Sequence, residues 1–263
     1  MSIKRFIGDY MSDSENKIAW EKEHENAWVE RFGTPREYAQ KIIKDPLTIL
    51  GPLADYLGHV DGKKVLNVMG SNGNKAVALS LLGAEVTVVD FSLSNKAYAE
   101  ALAKEAQVPI TYIVKDVLKM AQEANFDIAF AEMGILHYFT DLKPFFIRLY
   151  GSLKFGGVAV VRDFHPISTK LIVSRGSTAK VRKHKVEGDY FDETLTEKIV
   201  SYGKYLTNEI PEKVFLRNWT LGEIVTAAAQ CGFRIEALIE APNLSSDVFD
   251  KGIPKTFMLK MTK

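Results

Sequence analysis

The chain has 263 residues, 34 Lys and Arg against 33 Asp and Glu, a formal net charge of +1, 46% hydrophobic residues and one cysteine. These values fit a folded globule of one or two domains and exclude intrinsic disorder and a disulfide framework. The near-zero charge, the lack of any 18-residue apolar run, the polar start Met1-Ser-Ile-Lys-Arg-Phe6 and the lone Cys231 predict a cytoplasmic protein with no nucleic-acid or membrane partner.

The first 60 residues read as helical. Thr34-Pro-Arg-Glu37 pairs a capping hydroxyl with a first-turn proline and a glutamate three residues after the cap. Asp45-Pro46 starts the next helix in the same way, with Leu47, Leu50, Ala54 and Leu57 as its apolar stripe and Gly58 as its end. From Lys63 the pattern changes to short apolar runs alternating with helices. Lys64–Met69 is a predicted strand, Ser71–Asn74 a turn, and Ala76–Leu82 a helix closed by Gly83. Glu85–Asp90 is the second strand, followed by a helix capped by Ser92. Pro109–Asp116 and Phe126–Ala131 are the third and fourth strands. Leu142–Leu153 is helical, Lys154–Gly157 turns, and Val158–Asp163 is the fifth strand.

Residues 165–215 break this alternation. Polar and aromatic, they read as a lid or substrate insertion. Thr220-Leu-Gly-Glu223 then opens a last helix, and strands over Phe233–Ile239 and Thr256–Met261 follow. The prediction is an α/β, doubly wound, Rossmann-like fold: a mostly parallel seven-stranded sheet with an antiparallel last strand. Residues 1–62 are expected to form a helical cap on a domain spanning 63–263.

In such a sheet, ligands bind at the carboxyl ends of the strands. Those ends carry Gly70, Ser71, Asn72 and Gly73, then Asp90, Asp116, Glu132 with Met133, and Asp163 with His165. Asp90 lies 17 residues after Gly73, near the offset of about 20 at which an acidic side chain meets a ribose. It could equally cap the helix beginning near Ser92.

Val65–Gly73, Val88–Ser92, Lys115–Val117, Phe126–His137 and Leu153–Gly157 resemble, in order and spacing, the motifs of class I S-adenosylmethionine-dependent methyltransferases. The resemblance implies S-adenosylmethionine as cofactor. Gly70, Ser71, Asn72 and Gly73 would face its methionine part, Asp90 the ribose hydroxyls, Phe91 and Val117 the adenine faces, and Asp116 the adenine amine. Glu132 and Met133 would line the methionine side and the route to the acceptor, and Asn67 and Ser92 complete the cofactor-binding set. Family members usually read acidic-x-Gly-x-Gly-x-Gly where this chain has Asn67, Met69, Ser71 and Gly73, so only the last glycine stands in register, with Gly70 between.

Methyl transfer from a sulfonium needs alignment first, and a base only if the nucleophile must lose a proton. His137, Asp163 and His165 are the catalytic candidates, with Tyr138 and Glu132 beside them. Asp163 and His165 alone do not make a metal site, and no metal is expected. Without the Asn/Asp-Pro-Pro-aromatic motif after the fourth strand, and with Cys231 before a helix-ending glycine, the expected acceptor is a small molecule. The protein is expected to be a monomer or homodimer. The competing reading is a catalytically idle cofactor-binding protein, suggested by Met69 and Ser71.

Overall fold

The computed structural model describes residues 16, 25–174, 184–199, 213–242 and 251–263. Residues 175–183 and 200–212 of the segment expected to be a lid lie outside them.

Helices α1 (Glu25–Phe32), α2 (Pro35–Lys44), α3 (Pro46–Leu50) and α4 (Leu53–Leu57) precede the sheet. Thr34 and Glu37 close the expected capping box on α2. The single helix expected from Pro46 to Leu57 is two, because Gly51 turns left-handed at φ 56° and Pro52 has no N–H to continue the ladder. That break leaves Leu47 56% exposed while Leu50, Leu53 and Leu57 are buried.

The core follows as β1 (Lys64–Val68), α5 (Asn74–Leu81), β2 (Glu85–Asp90), α6 (Leu93–Glu105), β3 (Thr111–Val114), β4 (Phe126–Glu132), α7 (Leu142–Ser152) and β5 (Leu153–Phe164). After β5 come β6 (Ile172–Ser174), β7 (His184–Val186), β8 (Leu195–Ile199) and β9 (Lys213–Arg217). The chain closes with α8 (Leu221–Gln230), β10 (Arg234–Pro242) and β11 (Pro254–Thr262). One seven-stranded sheet runs β10-β11-β5-β4-β1-β2-β3, and β11 alone runs against the direction of the other six strands. Strand order reverses between β1 and β4, where a ligand crevice belongs.

Strand alternation explains the two-sided core. Val65, Val86, Val88 and Phe130 face α5, α6 and the amino-terminal helices. Leu66, Val68, Val89 and Ala131 face Phe145 and Phe146 of α7 and Ile224 of α8. The turn expected at residues 154–157 is absorbed into β5, which bends at Gly156 with φ 75° and pairs Leu153 with Phe126. The region expected to be a lid contains two antiparallel pairs, β6 with β7 and β8 with β9. No helix among the described residues is long and apolar enough to cross a membrane.

Candidate active site

The loop leaving β1 adopts, at two positions that are not glycine, the conformation that glycine favours. Met69 and Ser71 take φ 51° and 50°, and Gly73 takes φ 73°. A non-glycine residue held left-handed costs about 1–3 kcal/mol, so the surroundings must impose it. Three bonds do. Met69 N–H donates to Val89 O at 2.7 Å, Ser71 N–H to Asp90 Oδ2 at 3.0 Å, and Tyr112 Oη–H to Ser71 O at 2.8 Å. Burial, and after it the nearby Asp90 charge, push the Tyr112 phenol well above its ordinary value, so it stays a donor. Gly70 admits no side chain, since a Cβ there would lie 2.5 Å from Asn67 Oδ1.

Asp90 ends β2 with both carboxylate oxygens engaged. Oδ1 accepts from Ser92 N at 3.0 Å and from Asn95 Nδ2 at 3.3 Å, while Oδ2 takes the Ser71 amide. Asp90 therefore ties the β1 loop to the start of α6, whose cap is the Ser92 hydroxyl accepting from Asn95 N. Asp116, after β3, accepts the Leu118 amide at 2.9 Å and caps a short turn. Glu132, at the end of β4, pairs with Arg162 Nη1 at 2.6 Å and Lys75 Nζ at 3.3 Å.

These ends enclose a cavity of about 560 Å³, within the usual range for a ligand site. Its wall includes Ser71, Asp90, Phe91, Asp116, Val117, Glu132, Met133 and His137 from the expected set. Asn67, Gly70, Asn72, Gly73 and Ser92 stand behind that wall. Asn67 Oδ1 is buried without a hydrogen-bond partner, Asn72 Oδ1 accepts from Asn74 N, and Gly73 starts α5. The side chains of Asn67, Asn72 and Ser92 are buried beneath the loop and the start of α6.

The three catalytic candidates separate. His137 lines the cavity, edge-on to Tyr138 with ring centroids 4.5 Å apart. Burial lowers its imidazole pKa, and the Asp163 carboxylate partly opposes that fall. Asp163, expected to face the methyl group, does not line this cavity. Its carboxylate takes the backbone N–H groups of Gly134, Ile135, Leu136 and Phe164 at 2.7–3.0 Å. His165 is 1% exposed and also lies outside the cavity wall. Ile167 N–H donates to its Nδ1, so Nε2 carries the proton toward Glu240 Oε1 at 2.6 Å. The expectation that both side chains face the reacting atoms is thus corrected: the extended β5 points Asp163 under the β4 turn and His165 toward the β10–β11 edge.

The sequence reading missed Asn16, Arg31, Met69, Phe139 and Phe164 as wall residues. Phe139 lies two residues after the motif segment and could have been found. Asn16 and Arg31 had no signal, since they arrive from the amino-terminal segment. Asn16 exchanges two hydrogen bonds with the backbone of Phe215 on β9, at 2.8 and 2.7 Å.

Residues 66–161 match the family described as Methyltransferase domain. The ubiquinone biosynthesis O-methyltransferases of Bradyrhizobium sp. (strain ORS 278) and Rhodopseudomonas palustris (strain BisB18) are each 32% identical over 108 residues, 41% of this chain. The match spans 42% of the length of these curated relatives. An S-adenosylmethionine dependent methyltransferase from Mesorhizobium loti shares the fold at TM-score 0.61 and 21% identity, covering 79% of this chain and 94% of its own. Magnesium protoporphyrin IX methyltransferase from Synechocystis PCC 6803, solved with bound SAH, shares it at TM-score 0.59 and 14% identity, covering 96% and 99%. The seven-stranded order, the strand-end wall and the match over residues 66–161 agree with the resemblance to class I S-adenosylmethionine-dependent methyltransferases, whose fold this chain shares.

Proposed function

We propose that this protein binds S-adenosylmethionine in the strand-end cavity and methylates a hydroxyl of a small, aromatic or otherwise apolar acceptor. The observation that carries the reading is the single wall on which Asp90, Phe91, Val117 and His137 meet. The residues present suit the cofactor: a carboxylate at the end of β2 for ribose hydroxyls, apolar walls beside it for a flat base, and Asp116 for an exocyclic amine. A carboxylate offers about four acceptor sites, so Asp90 can serve the loop and a ribose together.

When bound, S-adenosylmethionine supplies a methyl group on a positively charged sulfur that already serves as the leaving group. The chain's part is alignment, exclusion of water and one proton transfer. His137, held neutral near pH 7 by burial, accepts the hydroxyl proton as the oxygen–carbon bond forms. Met133, Tyr138, Phe139 and Phe164 offer apolar contact to the acceptor on the same side. The curated relatives' description as O-methyltransferases supports an oxygen nucleophile. The described helices before β1 read as a cap packed on the core, and the described parts of 165–215 as a lid or substrate insertion.

Isothermal titration with S-adenosylmethionine and S-adenosylhomocysteine tests the binding. No heat with either at millimolar ligand overturns it. Met69 stands on the cavity wall where the usual family pattern has glycine, and this favours the second reading, an idle cofactor-binding protein. Cofactor-dependent methylation of any acceptor in a metabolite extract excludes that alternative.

A further inference from the structure

We propose that Asp163 is a positioning residue: by gathering the amide N–H groups of Gly134, Ile135 and Leu136 on one carboxylate, it fixes the turn that presents His137 to the cavity. The inference rests on the reading of His137 as the base.

The turn cannot hold this shape alone. Met133 and Gly134 are both left-handed, at φ 59° and 81°, so the chain reverses just past β4. The amides of Gly134, Ile135 and Leu136 then point away from any strand ladder and need an outside acceptor. A single carboxylate with about four acceptor sites meets that need and takes the Phe164 amide besides. Asparagine could not substitute freely, because its amide nitrogen would face N–H groups.

The same turn is gripped from the opposite side. Trp219 Nε1–H donates to Leu136 O at 2.9 Å, and Arg217 lies over the Trp219 ring at 3.6 Å while its Nη1 reaches Thr140 O at 3.1 Å. Leu136, the residue before His137, is therefore held by its N–H from β5 and by its carbonyl from the segment after β9.

The charges around His137 fit a role beyond simple support. Between His137 and Asp163 lies a small cavity of about 20 Å³, otherwise walled by neutral groups including Thr169, Asn218 and Trp219. Tyr138 flanks the ring, Arg217 sits behind Trp219, and Glu132 on β4 is committed to Lys75 and Arg162. Asp163 is the charge that acts on the imidazole, and it stabilises the imidazolium once the proton arrives.

The test follows the His137 ring resonance of the full chain by NMR across pH, assigned with His137→Gln. Asp163→Asn should lower the titration midpoint by about one pH unit, about tenfold in proton affinity, the usual effect of removing a nearby opposite charge. Asp163→Glu keeps the charge and should leave the midpoint near that of the natural chain. It should also speed hydrogen exchange at the Ile135 and Leu136 amides about tenfold, since bonds to a charged acceptor are displaced. An unmoved midpoint in Asp163→Asn overturns the proposal. If that variant does not fold, unchanged amide protection in Asp163→Glu overturns it. His137→Gln with full turnover would instead sink the base assignment and leave the titration result standing.

Discussion

The indole N–H of Trp28 donates to Asn95 Oδ1 at 2.9 Å, and the amide nitrogen of Asn95 donates to Asp90 Oδ1 at 3.3 Å. A tryptophan on the first described helix is thereby connected through one side chain to the carboxylate that the proposed ribose contact requires. Trp28 is 4% exposed and lines the same cavity, so packing and positioning coincide in one residue. Trp28→Phe keeps most of the ring volume and removes the N–H. We expect a stability loss of about 1 kcal/mol, the usual net worth of such a bond, with a few-fold weaker S-adenosylhomocysteine binding. Thermal unfolding and calorimetry check both, and unaltered affinity would show that Asn95 holds Asp90 without Trp28.

Asp90→Ala removes the acceptor of the Ser71 amide as well as the proposed ribose partner. Cofactor binding should weaken by about 1–3 kcal/mol, roughly 5- to 150-fold in Kd. Calorimetry reads the change, and an affinity equal to that of the natural chain returns Asp90 to a purely structural role between the loop and α6.

Ser71→Gly addresses the strained loop. Glycine adopts φ 50° freely, and the bonds made by residue 71 use only backbone atoms, so they survive the substitution. The unfolded chain gains freedom with glycine, which offsets part of the relief. The expected result is a net stabilisation of up to about 1 kcal/mol with cofactor affinity retained or improved. A denaturant midpoint that falls clearly below that of the natural chain would contradict the strain argument.

Glu132→Gln leaves Lys75 and Arg162 facing each other across a neutral amide, with the Glu132 side chain 8% exposed. Breaking a buried pair this way costs about 3 kcal/mol or more, so Tm should drop by several degrees. A drop confined to turnover would mean that the group serves the acceptor, not the fold.

His137 sets a pH dependence in two observables. Its folded pKa lies below the ordinary value of 6.5, because burial outweighs the Asp163 charge. The neutral ring therefore contributes stability that is fully present above about pH 6.5 and is lost as pH falls toward the folded value. Turnover should follow the same sense, flat near neutrality and declining on the acid side as the base is protonated. His137→Gln should cut turnover sharply and remove the His137 share of the acid loss of stability, and a stability profile identical to that of the natural chain would rule out His137 as its source.

The legible and illegible parts of this protein differ in physical kind. The alternation of strand and helix from Lys64 to Asp163, the capping boxes at Thr34 and Thr220 and the carboxylates at successive strand ends are local patterns of period, turn chemistry and spacing. Such patterns are written in neighbouring residues, and the sequence by itself determined from them the fold class and the side of the sheet on which the cavity lies. Which strand-end groups face that cavity was a tertiary matter. Asp163 and His165 stand at the end of β5 as His137 stands past the end of β4, yet only His137 reaches the wall. The reason is competition for partners: three amides released by a left-handed turn claim the Asp163 carboxylate, and Glu240, on a strand 75 residues away, claims His165. Asn16 and Arg31 enter the wall only because distant chain folds over it, and the glycine-like shape of the loop at Met69 and Ser71 is imposed by Val89, Asp90 and Tyr112 from neighbouring strands.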